Sequence, residues 1–576
     1  MNMTVRLPGE WRHAQRWATA GAVFVFIAVL AFGPLIEHSL LERAFTAALY
    51  LALGLLLVAL SGRFAFGLAA AGLLTLVLEV AAHLKYKYLT TPLLAPDLVY
   101  MINADTLRTM SRYPLLVGAA SAAALCVPLL LWLAWRMERV PPFAHRRRPW
   151  LTRALLAAFA LLAAGEAMST TGPFAEAHAK GMWLAMTDAS LITDFLISFR
   201  ATSVRAPAYP PQAADAYDWK RGDADAGAGA ALHPRPDIVA VLEESTFDPR
   251  ILAACTLRLC DRRMFHSDRR TLAHGLMVVH TWGGGTWTSE FSFLTGLSHE
   301  EFGPAGLYAP FNLAPRIRYT LPRVLRANGY RTVAIYPTDG DFLNGRNAYA
   351  EYGFDAFYGG EQVGLGWEST DADLLRVFAR VYAEEKAKAN GQPLFLFMLT
   401  LHQHGPHMTP YAKLRAPYDR PLFAGRMDDW QNLNLANYLE RLDQSDRAMA
   451  RLEDMLRASG KPVLLVHFGD HQPSFDGAIN GIAKRLPSGI ADPSRVTYYM
   501  LKGFATPLRR YDYPVLDLAY LGGLVLDAAE LHKDAFFTAN ALLRERCRGR
   551  YLDCGQRALA DSYRADVFGQ LKDLDE

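Results

Sequence analysis

The sequence predicts a five-helix transmembrane domain followed by an exported α/β domain, a mainly parallel sheet flanked by helices. Three observations carry this. The first third is rich in Ala, Leu, Val and Phe and holds five apolar runs near the ~20 residues that cross a bilayer. From Asp237 on, short apolar runs alternate with longer helical patterns, which is the signature of a parallel sheet. Basic residues cluster so that alternating crossings collect them on one side. The expected domains are residues 1–168 (transmembrane), 169–236 (interfacial helix and linker) and 237–576 (exported).

At 576 residues the chain exceeds a single core. Its net charge of +3 and pI near 8.4 give no reason to expect nucleic acid. The spans are placed near Trp17–Ile36, Ala44–Leu60, Phe64–Ala82, Tyr113–Trp135 and Trp150–Met168. A signal peptide alone leaves four of them unexplained. Arg6, Arg12 and Arg16 precede the first span, and Arg63 sits in the second loop. Arg136, Arg139, Arg146, Arg147 and Arg148 precede the fifth. The side they share is expected to be the cytoplasm, so the chain after Met168 lies outside. Cys126 falls inside the fourth span, while Cys255, Cys260, Cys547 and Cys554 form two close pairs in the exported part. An oxidising compartment permits bridges within those pairs, although the sequence does not choose among three pairings. Neither spacing is that of a CxxC zinc site.

Between the third and fourth spans, His83 to Met101 has the Tyr, Lys and Pro content of a membrane interface. Trp183 to Phe199 is apolar at helical spacing, a helix lying on the membrane or on the soluble domain, with core packing an equal reading. Ala201 to Pro236, rich in Ala, Pro, Gly and Asp, reads as a linker. DIVAVLEES, beginning at Asp237, reads as a buried parallel strand. Helix and strand then alternate. Leu321–Asn328 is a helix closed by Gly329, with a strand at Arg331–Tyr336. A helix at Asp371–Ala389 precedes a strand at Pro393–Leu401. A long helix at Leu433–Ser459, closed by Gly460, precedes a strand at Pro462–Phe468.

Ligands gather at the carboxyl ends of such strands. The first strand ends in Glu243, Glu244 and Ser245, and the last runs into Asp470 and His471. Carboxylates with an imidazole suit Mn²⁺, Mg²⁺ or Zn²⁺. Between them, TWGGGTWTSEF (Thr281 to Phe291) delivers a hydroxyl, Thr286, through three glycines to an expected helix start. Backbone N–H groups and the helix dipole favour an anion there, and a metal ion can activate the hydroxyl for attack on phosphorus. Read by itself, Thr286 is more readily an ordinary N-cap than a nucleophile.

In this order, Glu-Ser, then GGGT, then Gly-Asp-His-Gln-Pro, the motifs resemble those of the lipoteichoic acid synthase and phosphoglycerol transferase group of the alkaline phosphatase and sulfatase superfamily. The resemblance implies a sulfatase-like fold for the exported domain. It also implies that Glu244, Thr286, Asp470 and His471 hold one divalent metal, Mn²⁺ first, with Mg²⁺ or Zn²⁺ as alternatives. Thr286 is then also the nucleophile. Thr288 competes with it, and Glu243 competes with Glu244. DFLNGRNAY (Asp341 to Tyr349) resembles a Phe-Trp-Asn-Arg segment that makes Arg346 a phosphate ligand, with Leu343 where Trp is usual and Gly345 inserted. LTLHQHGPH (Leu399 to His407) resembles a His-x-Pro-Tyr segment, which makes His404 a substrate ligand that also protonates the leaving alcohol, and His407, in place of Tyr, a second substrate ligand.

The activity implied is transfer of a phospho-headgroup, phosphoglycerol or phosphoethanolamine, from a membrane phospholipid to a cell-envelope glycan or lipid through phospho-Thr286. The implied place is the bacterial cytoplasmic membrane, with the catalytic domain outside. The alternatives are a membrane-bound phosphodiesterase or phosphatase, and a sensor carrying an inactive domain. A formylglycine sulfatase is disfavoured, because the run Cys255 to Arg258 lacks the proline of CxPxR.

Overall fold

The computed structural model describes residues 9–89, 92–100, 102, 114–139, 148–179, 190–199, 204, 206–219, 234–505 and 509–574. The chain divides into two compact units, 1–87 with 91–202, and 88–90 with 203–576.

In the first unit five helices are long and apolar enough to cross a membrane. They are α1 (Gly9–Phe32), α2 (Leu40–Ser61), α3 (Phe64–Leu89), α4 (Pro114–Met137) and α5 (Pro149–Ala167). Each overlaps an expected span: α1 stops at Phe32 and a 3-10 turn takes Gly33–Ile36, Met168 caps α5, and Tyr113 lies outside the described residues. Local chemistry sets the ends of α2: Ser39 and Glu42 form a capping box, and Gly62 closes the helix in the left-handed region. A shorter helix, α6 (Leu191–Ser198), answers the amphipathic stretch expected from Trp183, whose residues 183–189 lie outside the described set. Its Leu191 and Ile192 pack with Val29, Tyr50 and Ala82, so it belongs to this unit. The Glu37 carboxylate accepts from the backbone N–H groups of Ile192 at 2.9 Å and Thr193 at 3.2 Å, at the positive end of α6.

The second unit is built on one eight-stranded sheet in the order β4-β3-β5-β1-β6-β7-β2-β8. The strands are β1 (Asp237–Glu243), β2 (Thr271–Val278), β3 (Arg331–Tyr336), β4 (Ala356–Gly359), β5 (Leu394–Leu399), β6 (Val463–Gly469), β7 (Val496–Phe504) and β8 (Val515–Asp517). β7 is antiparallel to both neighbours, and the other pairings are parallel. β1 is buried along its length, as its unbroken apolar run requires. Ile238, Ala240 and Leu242 enter the core on one face, while Val239 and Val241 enter that on the other.

β1, β3, β5 and β6 fall where the sequence puts strands. The other four were not read from it. β4 and β8 are too short to show a period, β2 mixes buried with half-exposed positions, and β7 carries Lys502, buried against Glu453 at 2.7 Å. Of the helices, α7 (Thr286–Thr295), α8 (Leu321–Ala327), α9 (Gly345–Tyr352), α10 (Asp371–Lys388) and α11 (Asp429–Ala458) matter most here. α11 starts before the expected Leu433 because Asp428 and Gln431 form a capping box ahead of the apolar face.

The expected linker needs correction. Val204 and Trp219 are buried in the core of the second unit, and the Trp219 indole N–H donates to Ser562 at 3.1 Å. Tyr209 and Tyr217, in the same Ala- and Pro-rich stretch, pack against that core as well. Residues 220–233 lie outside the described set.

Candidate active site and metal centre

The centre of the sheet assembles the site. β1 and β6 are parallel neighbours, with Glu243 opposite Gly469, so Glu244 and Asp470 step off the two strands together. The chain turns sharply there. A side chain at Gly469 would collide with the carbonyl of Thr246, so only glycine fits. Ser245 takes a positive φ of 49°, an uncommon conformation for a non-glycine residue. α7 enters over the same ends. Its N-cap, Gly285, has φ 85°, and the preceding Gly283 donates its N–H to the Gln472 carbonyl at 3.1 Å. Thr286 thereby becomes the first residue of α7, half-buried.

Its hydroxyl donates to Glu244 Oε2 at 2.9 Å and lies 3.4 Å from His471 Nε2. His471 Nε2 is 3.6 Å from Glu244 Oε1 and 3.2 Å from Asp470 Oδ2. Ligand atoms of Glu244, Asp470 and His471 all fall within 4.8 Å of one another. Each group is held from behind. Asp470 Oδ1 accepts the N–H groups of Ser245 and His471, each at 2.7 Å. The Ser245 hydroxyl donates to Glu244 Oε1 at 2.7 Å. The Gln472 carbonyl lies 2.9 Å from His471 Nδ1, which sets the tautomer that leaves Nε2 with a lone pair.

Asp470 Oδ2 is buried with no hydrogen-bond partner. A buried carboxylate oxygen without a donor is costly. A divalent cation among these oxygens and the His471 nitrogen removes that cost, so the residues present fit the expected metal. The titration pattern agrees. Burial and the Glu244 charge hold the Asp470 carboxyl well above its ordinary range. Burial also raises Glu244, but His471, His404 and the Ser245 and Thr286 hydrogen bonds outweigh it, and the net direction is down. Burial lowers His471, only partly offset by Glu244.

Of the other candidates, only His404 falls near the site. Glu243 points to the opposite face of β1, as strand alternation demands, and accepts from Tyr498 at 2.6 Å beside His467. Thr288 is buried and donates to the Gly285 carbonyl at 2.8 Å. Arg346 is half-exposed and held in ion pairs by Asp341 at 3.2 Å and Glu361 at 2.5 Å. His404 is half-buried near Glu244, with Nδ1 2.8 Å from the Gly405 carbonyl. His407 is buried edge-on between Tyr438 and Phe475, and burial holds it well below its ordinary pKa.

The roles of three supporting groups escaped the sequence reading. Ser245 orients two carboxylates. Ser289 donates to the Asp470 carbonyl at 2.7 Å, and Thr400 accepts the Glu244 N–H at 3.0 Å. The serine beside each acid motif was the available signal, and nothing in the sequence pointed to Thr400.

Residues 236–516 match the family model described as Sulfatase. A Haemophilus influenzae protein, itself described as uncharacterized, is 28% identical over 351 residues, covering 58% of this chain and 61% of its own length. A capsular polysaccharide biosynthesis protein of Rhizobium meliloti is 30% identical over 261 residues, 44% of this chain and 43% of its own. Among solved structures, a Streptococcus pyogenes phosphoglycerol transferase overlays with a TM-score of 0.49 at 15% identity, covering 64% of this chain and 95% of that one.

Proposed function

Starting from a sulfatase-family domain at residues 236–516, behind five helices fit to cross a membrane, we propose that the chain is a metal-dependent phosphotransferase. It moves a phosphoglycerol or phosphoethanolamine headgroup from a membrane phospholipid to a cell-envelope glycan or lipid, by way of phospho-Thr286. One observation carries the reading. A half-exposed hydroxyl stands at a helix N-terminus, 2.9 Å from Glu244 and 3.4 Å from His471, beside the unpartnered oxygen of Asp470.

Glu244, Thr286, Asp470 and His471 would hold the metal, Mn²⁺ first among Mn²⁺, Mg²⁺ and Zn²⁺. When bound, it lowers the pKa of the coordinated hydroxyl and neutralises charge on the phosphoryl oxygens. The chain's own groups do the rest. Thr286 Oγ1 attacks phosphorus and its proton passes to Glu244, the acceptor already in place. N–H groups at the start of α7 face the phosphoryl oxygens. His404, pinned at Nδ1, gives the proton on Nε2 to the departing diacylglycerol oxygen. The second half runs in reverse, with the acceptor hydroxyl giving its proton to His404. Arg346 takes no part in this reading, because Asp341 and Glu361 hold its guanidinium. The polysaccharide relative is in keeping with a glycan acceptor. A threonine at the nucleophile position does not suit formylglycine chemistry.

The test uses full-length protein with phosphatidylglycerol and phosphatidylethanolamine, each labelled in the headgroup. Diacylglycerol release and a phosphopeptide containing Thr286 are expected. T286A is expected to lose both while staying folded, since the change removes one ligand and one first-turn hydroxyl, about 1 kcal/mol. D470N should lose bound metal by elemental analysis. Near-normal turnover in T286A, or phosphate on Thr288 or Ser289, would sink the assignment.

A further inference from the structure

Three side chains line up beside the reaction centre. The half-buried Trp367 indole meets the His404 ring edge-on, centroids 4.9 Å apart at 66°. Phe342, also half-buried, makes a second T-shaped contact with the indole at 5.2 Å and 86°. Arg441 donates to the carbonyls of His404 at 2.7 Å and Pro406 at 2.9 Å, which fixes the loop carrying the imidazole. Glu368, exposed and next to Trp367 in the chain, lies within electrostatic reach of Arg441.

Accepting the phosphotransfer reading above, His404 decides what this wall touches. The oxygen that His404 protonates in the first half-reaction belongs to the departing alcohol. In the second half the acceptor oxygen occupies the same place, because one group serves both directions. The carbon skeleton of the acceptor therefore lies against whatever flanks His404, which is the indole. The face of an indole is electron-rich and flat. It complements the C–H face of a sugar ring. A short linear polyol presents no such face.

We propose that Trp367, with Phe342, forms the acceptor subsite, and that the acceptor is a carbohydrate whose pyranose ring stacks on the indole beside His404. Atoms balance in the step this serves. The sugar hydroxyl oxygen forms a bond to phosphorus as the bond from phosphorus to Thr286 Oγ1 breaks. The hydroxyl proton goes to His404, and Oγ1 recovers its proton from Glu244.

The test uses the full chain in detergent with a β-glucan oligosaccharide, and with glycerol as the non-ring alcohol. Calorimetry should detect oligosaccharide binding to the wild type. W367A should weaken it by about tenfold, the scale of one aromatic stacking contact with its buried area, and W367F should recover most of it. The ratio of headgroup transferred to the oligosaccharide over headgroup hydrolysed should fall by a similar factor in W367A, with the ratio for glycerol little changed. Equal binding by wild type and W367A, no binding by the wild type, or an equal loss for glycerol would overturn the subsite. If the wild type binds the oligosaccharide through Trp367 but cleaves neither lipid, the sugar site stands and the transfer chemistry falls.

Discussion

Glu290 lies one helical turn beyond Thr286 on α7, buried, with the Tyr349 hydroxyl donating to its Oε2 at 2.7 Å. Burial, reinforced by the charges of Asp470 and Glu244, pushes its pKa up to about 8. The sign comes from proton counting. Between the ordinary glutamate range and about pH 8, the folded protein keeps a proton that the unfolded chain has lost, so Glu290 makes stability fall as pH rises through that window. Glutamine removes the titration and keeps an acceptor for Tyr349. With metal chelated, E290Q should melt above the wild type by a margin that widens from pH 5 to pH 8. For a domain of this size, each kcal/mol is about 1–2 °C. A margin that does not change with pH would show that Glu290 is ionised in the folded state.

The helix start is the element on which the site depends most. Gly285 combines a φ of 85° with a tight surround, where an added Cβ would meet Thr281 Oγ1 at 2.9 Å. Thr281 is itself engaged, donating to the Gly284 carbonyl at 2.6 Å. G285A should therefore cost about 1–2 kcal/mol in stability. Its effect on turnover should be larger, on the order of a hundredfold, because a nucleophile displaced by an ångström loses alignment. The comparison is kcat against melting temperature. A variant that melts several degrees lower yet turns over normally would mean that the loop tolerates another path to Thr286.

At the scale of the whole chain, topology and redox chemistry make one connected prediction. By the positive-inside rule, the arginine clusters lead us to expect the loop before the fifth span in the cytoplasm and the chain after it outside. A reporter fused after Gly172 should be active outside the cytoplasm, and one fused after Pro142 should not be. The structure pairs Cys255 with Cys260 and Cys547 with Cys554, and leaves Cys126 on α4 free and exposed. Alkylation of the unreduced protein should then label Cys126 alone. Label on Cys255 or Cys547, together with reversed reporters, would overturn the external placement.

The sequence alone determined the features that local composition sets. Unbroken apolar runs mark the five candidate spans and the central strands, because such segments can be stable only away from water. Gly-Gly-Gly-Thr and Gly-Asp-His marked the site, because close turns demand glycine and metals demand oxygen and nitrogen. Tertiary structure alone decided matters that depend on partners distant in the chain. Glu243 and Glu244 are neighbours in sequence, yet strand alternation sends one to Tyr498 and the other to Thr286. Arg346 looks free for phosphate until Glu361 arrives beside it. The edge strands β4 and β8 take their identity from the strands they pair with, and the choice among three disulfide pairings fell to the fold. Trp367 carries no motif at all. It gained a place beside His404 only when the loop before α10 was folded against the loop after β5, a proximity that no local pattern encodes.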